Sequence, residues 1–335
     1  MKLMESIRRD VLETRVGGIA NKFKLHKRRV TLFFEDISLD YIKKCEDSGQ
    51  GERLGNAAQK WMALYFNELV PYALRKLPPT ILVNLVIRKV WIGLGLIEDM
   101  SFEKRGNIVF IKTRGEGTTR EIGNNKFMEG FYRGVLNILY GSQVRTMKVV
   151  QSRESCEYVY EIGNEPFSIK SKGKRLYHEL NYFEPAKGFT LKDVLEKKIL
   201  KLRENNRIYF RETPIVPIEN TLYHIVGIDD ILIDKVPEIS FDYFRKIIEK
   251  SSTDVQKLTL LKNLLQAMGW GTVIIIRRKD EILLDMRKMP YGLQAEKDNW
   301  DFLLNTILGY LWLIDKNLKI KKKEESYKHL KVLYS

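Results

Sequence analysis

Three carboxylates, Asp229, Asp230 and Asp234, stand within one short run. Carboxylates at that density are the donor type that holds Mg²⁺, but such a site needs them to converge from several elements. One local run therefore reads as a solvated turn. Ser48-Gly-Gln-Gly-Glu-Arg-Leu-Gly55 has the glycine density of a phosphate loop, yet it lacks Gly-Lys-Ser/Thr and no apolar strand leads directly into it. A turn into a helix explains its glycines, and Gly115-Glu116-Gly117 reads as a turn between strands. The histidines His26, His178, His224 and His329 form no i, i+4 pair, and Cys45 and Cys156 form no Cys-x-x-Cys. No metal is expected from these ligands. No serine or cysteine has a recognisable nucleophile context, and no carboxylate pair has an evident acid–base partner. No catalytic residue and no cofactor are therefore named, and the expectation is a protein that is not an enzyme.

Cations are the more promising chemistry. Lys22, Lys24, Lys27, Arg28 and Arg29 place five positive charges in eight residues. Lys172, Lys174 and Arg175 form a second cluster, Arg277-Arg278-Lys279 a third, and Lys321, Lys322 and Lys323 a fourth. The net charge is +15, and residues 1–150 carry ten of those charges. Such a balance favours RNA, DNA or another polyanion, with salt-sensitive binding. Aromatic side chains for base stacking are scarce beside these clusters, so backbone contact is expected over base reading. The competing reading is a lysine-rich solvated face.

The elements that would position such residues follow from length and patterning. At 335 residues, 44% apolar and 30% charged, the chain is globular and about two domains long. It needs neither disulfides nor metal to fold. MKLMESIRRD has no apolar core, so no secretory signal is expected and a cytoplasmic location is. The stretch from Ile81 to Ile97 is interrupted by Asn84, Arg88 and Lys89, so it reads as a core helix and no membrane span is expected.

An internal repeat organises the rest. TILVNLVIRKVWIGLG ends at Gly95 and VQKLTLLKNLLQAMGWG ends at Gly271. Each is an amphipathic helix closed by Gly-x-Gly, since glycine accepts the left-handed geometry of a helix end. Two short strands are expected after each: IVFIKT and TTREIG in the first copy, TVIIIRR and EILLDMR in the second. Along the first of these strands, Ile108, Phe110 and Lys112 share one face. An apolar helix with glycine follows, NKFMEGFYRGVLNILYG or NWDFLLNTILGYLWLID, then a charged strand pair. The offset stays near 175 residues. Gly130 and Gly134 lie one helical turn apart and predict a close backbone approach, because glycine in a helix costs roughly 1 kcal/mol against alanine. An additional helix is predicted from about Gly55 to Leu77, with a shorter counterpart in SFDYFRKIIEK. LKDVLEKKILKLRENN reads as a connecting helix, and RRVTLFFEDI and RIYFRETPIV open the two copies.

Gly51-x-x-x-Gly55-x-Ala57, then Gly93-x-Gly95, then Phe127-x-x-Gly130-x-x-x-Gly134 and a hairpin reaching Cys156 resemble the 4-vinyl reductase domain, a family common in archaea. The resemblance covers about residues 20–165, and 205–335 through the repeat. It implies a fold similar to small vesicle-tethering subunits of the TRAPP type: an antiparallel sheet packed on helices. Zinc-binding members carry several cysteines near the last hairpin; here Cys156 alone matches, so no zinc is implied and Cys156 reads as a core residue.

The resemblance also implies an apolar ligand held between helices and sheet. Its lining would come from Trp61, Tyr65, Trp91, Phe131 and Tyr132, and in the second copy from Trp300, Leu304, Leu308 and Trp312. The competing reading is that these aromatics fill the core. The expected architecture is α/β (α+β): unit 1–165, basic connector 166–205, degenerate unit 206–335, packed as an intramolecular pseudo-dimer. The expected function is non-enzymatic binding of a small apolar molecule, a partner protein or both. Nucleic-acid association through the basic surface is the first alternative. An enzyme like the family's namesake is the second, although no dinucleotide fingerprint is present to serve it.

Overall fold

The computed structural model describes residues 31–70, 72–94, 96–181, 190–203, 207–326 and 329–335. Strand β1 (Thr31–Phe34) leads into α1 (Glu35–Asp47), whose Ile37, Tyr41 and Cys45 recur at helical spacing and are buried. Next comes α2 (Gly51–Leu69). A composite helix follows, made of α3 (Pro79–Ile81), a π-helical stretch (Leu82–Ile87) and α4 (Arg88–Leu94). Hairpin β2 (Asp99–Arg105) and β3 (Ile108–Arg114), short α5 (Gly117–Ile122), long α6 (Lys126–Tyr140), and hairpin β4 (Ser142–Gln151) and β5 (Ser155–Pro166) complete the first half. Asn125 caps α6 by accepting from the Met128 amide at 2.9 Å, and Gly141 ends it with φ 64°.

Helices α7 (Lys174–Asn181) and α8 (Leu191–Glu196) and strands β6 (Leu200–Leu202), β7 (Ile208–Phe210) and β8 (Thr213–Ile218) lead into the second half. There α9 (Thr221–Ile228), α10 (Val236–Ile247) and α11 (Asp254–Ala267) precede hairpin β9 (Thr272–Arg278) and β10 (Glu281–Arg287). Helix α12 (Asp301–Leu311) and hairpin β11 (Ile320–Ser326) and β12 (His329–Tyr334) close the chain.

The fold is mixed α/β with three four-stranded antiparallel sheets. Their strand orders are β2-β3-β5-β4, β9-β10-β12-β11 and β1-β8-β7-β6. The first two share one topology: a hairpin, a helix, then a second hairpin whose last strand pairs inward. In each sheet alternate residues turn to the helices. Val109 and Ile111 do so in one, Ile282, Leu284 and Met286 in the other. Ile108, Phe110 and Lys112 do share a face, and it is the outer one.

Helix α6 packs along α2, and α12 along α10. Glycines permit both approaches. A Cβ on Gly130 would collide with the Gly55 carbonyl oxygen, and one on Gly134 with that of Gln59. One on Gly309 would collide with the Pro237 carbonyl oxygen. Gly134 and Gly309 are 175 residues apart.

The third sheet joins the halves. β1 pairs antiparallel with β8, matching Phe33 to Val216, and β6 of the connector extends the same sheet. Helix α1 packs on α10 and β8, while α9 packs on α2. Tyr41 donates to the Ile231 carbonyl at 2.5 Å, and the Trp270 indole donates to the Leu32 carbonyl at 3.0 Å. Strands from all three expected segments thus share a sheet, and one apolar core runs through both halves.

Four sequence expectations differ from what forms. TTREIG is not a strand but helix α5: the buried Glu116 carboxylate accepts from the hydroxyls of Thr119 and Thr113, which ties the β-branched residues into a turn. The strand paired with β3 lies before it, in β2, where Met100 and Phe102 are buried and Ser101 and Glu103 exposed. LKDVLEKKILKLRENN is helical only in α8. Lys198 takes φ 57°, and Leu200–Leu202 then pairs as β6. Finally, α4 runs through Gly93 to Leu94 instead of ending there. Gly95 lies outside the described residues. The second copy behaves as expected, with Gly269 at φ 86° and Gly271 at φ 125° after α11.

Candidate functional site

Four of the expected ligand-lining aromatics come together. Trp61 on α2, Trp91 on α4, and Phe131 and Tyr132 on α6 are all buried. Ring centroids are 6.0 Å apart for Trp61 and Phe131, 5.2 Å for Trp91 and Phe131, and 5.8 Å for Trp91 and Tyr132. Tyr65 is half-buried, its ring tilted by 59° against that of Phe66 at 6.0 Å. These are the spacings of side chains packed on each other. In the second half the expected residues separate. Trp300 precedes α12 and lies 4.5 Å from the His224 ring, whereas Trp312 follows α12, faces Phe241 at 6.2 Å and donates to the Leu318 carbonyl at 3.0 Å. Leu304 and Leu308 are buried. Beneath β1, between Phe33, Phe244, Trp270 and Tyr310, a void of about 20 Å³ is lined by apolar groups and Thr306.

Two buried polar centres had no sequence signature. In the first, Glu116 accepts from Tyr132 at 2.7 Å and Tyr158 at 2.8 Å, with the Cys156 thiol at 3.6 Å. Burial beside that carboxylate pushes the Cys156 thiol and both phenols above their ordinary values. The second centre lies where the halves meet. Glu219 accepts from the Thr221 hydroxyl at 2.8 Å, the Thr221 amide at 3.1 Å, the Trp61 indole at 3.2 Å and Tyr177 at 3.4 Å. Desolvation outweighs these donors, and its pKa is pushed up to about 7.

Beside it, Lys172 donates to both Asp298 oxygens at 2.9 and 3.0 Å and to the Gly292 carbonyl at 3.2 Å. Lys172 was expected on a polyanion-binding surface. It is instead held in this ion pair, with its side chain 12% exposed. Asp298 sits 126 residues away, so nothing local in the sequence could announce the pair. The His224 imidazole makes contacts of 2.7 and 3.0 Å with the carbonyls of Asn299 and Pro290.

The other expected cations divide. Lys22, Lys24, Lys27, Arg28 and Arg29 lie outside the described residues. Lys174 and Arg175 begin α7. Lys321, Lys322 and Lys323 lie on β11, where Lys323 pairs with Asp301 at 2.7 Å and Lys322 with Glu324 at 2.5 Å. Lys322 also borders an open depression of about 220 Å³ across the outer face of the β9–β12 sheet. Leu283 and Leu333 also line it, with Arg278, Lys331, Glu281 and Glu324. Period-two alternation along β10 and β12 could have marked the outward Leu283 and Leu333 as a surface pair. Asp229, Asp230 and Asp234 are exposed around their turn, and among the described residues no three His, Cys, Asp or Glu side chains converge as a metal site.

No protein-family model matches this chain, and neither does any curated protein or solved structure.

Proposed function

We propose that the chain is a non-enzymatic binding protein, an internal pseudo-dimer of two vinyl-reductase-like units, that takes an acidic partner protein on the outer face of its β9–β12 sheet. The recurring sheet order carries this reading, with Gly134 and Gly309 permitting the same helix crossing 175 residues apart. The reciprocal contacts support it further. β1 pairs with β8, α1 packs on the second half and α9 on the first, as the same surface meeting its own copy would require.

The aromatics expected to hold a small apolar ligand are packed on one another, which favours an outer surface as the binding site. The depression offers Leu283 and Leu333 as an apolar floor and Arg278, Lys322 and Lys331 as cations. That pairing suits a segment carrying both carboxylates and aliphatic side chains. Nucleic acid is the second reading, favoured by Lys321 and Lys322 on β11. Leu283 and Leu333 on its floor give a phosphate backbone nothing to contact, and no lining residue is aromatic for base stacking.

The test compares fluorescence anisotropy of a labelled Glu/Leu-rich peptide and a labelled single-stranded RNA of equal charge. The peptide should bind in a salt-sensitive way, and Arg278→Glu/Lys331→Glu should weaken it at least about tenfold without lowering thermal stability. Tighter RNA binding, lost in the same variant, selects the second reading. Absence of binding to both probes contradicts each.

A further inference from the structure

We propose that the outer face of the α3–α4 helical segment is a docking surface for an anionic lipid bilayer, on which the protein lies without crossing it. The inner face of this segment is anchored: Leu82, Val83, Ile87 and Trp91 are buried. Asn84 exchanges hydrogen bonds with the Phe102 backbone at 3.0 and 3.1 Å, and Arg88 pairs with Asp99 at 2.6 Å. The outer face carries Leu77, Ile81, Leu85, Ile92 and Leu96, all exposed, Leu85 by 57%. Lys89, also exposed, stands on the same line between Leu85 and Ile92. The segment includes a π-helical stretch, Leu82–Ile87, and Leu85, Lys89, Ile92 and Leu96 recur at helical spacing.

The second half treats the matching helix differently. At the same 175-residue offset, Gln256 and Leu260 of α11 stand where Ile81 and Leu85 stand here, and Leu260 is half-buried against the core. Helix α8 packs on α11, burying Leu191 and Val194.

Charge selects the occupant. Lys89 stands on the stripe itself and Arg75 and Lys76 just before it, while Arg88 is neutralised by Asp99 and no acidic residue lies between Tyr72 and Ile97. A stripe of aliphatics with cations alongside matches the boundary between acyl chains and anionic headgroups, and lysine stems extend to reach the latter. No described helix is long and apolar enough to cross a membrane, so the segment would lie in the interface.

The full chain should float with phosphatidylglycerol-containing vesicles, and far less with phosphatidylcholine alone. Leu85→Glu/Ile92→Glu should lower vesicle partitioning at least about tenfold, since burying one such side chain is worth about that factor. Both side chains are exposed, so the thermal midpoint and peptide anisotropy should be unchanged. Three results overturn the proposal: no flotation with anionic vesicles; flotation unaltered in the double variant, which would place binding on other basic residues; or a wild-type dimer that becomes monomeric in the variant without vesicle binding, which would make the stripe a protein interface. The peptide titration is independent of all three.

Discussion

The Trp61 indole donates to Glu219 Oε2 at 3.2 Å, joining the long helix of the first half to a buried carboxylate of the second. Glu219 is buried, and Thr221 and Tyr177 also donate to it. Four hydrogen bonds hold the carboxyl in place, while burial disfavours its charge.

A pH dependence follows. The pKa of Glu219 rises from 4.5 to about 7 on folding, so the folded chain holds the proton more tightly than the unfolded one. Its contribution is full below the unfolded value and is lost as pH climbs through about 7, a change on the order of 3 kcal/mol. Glu219→Gln should remove this dependence while keeping the side chain's shape. Thermal midpoints measured from pH 4.5 to 8 should fall more steeply for wild type than for the variant. Parallel curves would show that Glu219 does not titrate in this window.

The Lys172–Asp298 pair makes a second prediction. Asp298 also accepts from the Gly292 amide and the Gln294 side chain, each at 2.8 Å. Lys172→Met strands a buried carboxylate and should cost about 3–5 kcal/mol in urea unfolding. Adding Asp298→Asn should recover much of that loss, because the unpaired charge is gone. A cost below about 1 kcal/mol would class the pair with exposed ones.

The sequence was legible where one residue type has one physical use. Gly130 and Gly134 announced a close helix crossing, and the 175-residue offset found its counterpart at Gly309. Period-two and helical patterns located both terminal hairpins and the long apolar helices. Legibility failed where a distant partner decides the outcome. Thr118 and Thr119 look strand-forming until the Glu116 carboxylate draws the chain into α5. Lys172 looks like surface until Asp298 arrives from 126 residues away. Charged outward residues hid β2, whose buried face rests on Met100 and Phe102.

The dependence of each half on the other is tested most directly by scanning calorimetry of Gly134→Ala and Gly309→Ala beside wild type. Each added methyl meets backbone of the facing helix, an overpacking cost of about 1–3 kcal/mol. Wild type should unfold in one transition whose calorimetric and van't Hoff enthalpies agree. Both substitutions should move that same transition down by roughly 1–4 °C. Two separable transitions, with Gly134→Ala shifting one and Gly309→Ala the other, would contradict a pseudo-dimer that folds as a unit.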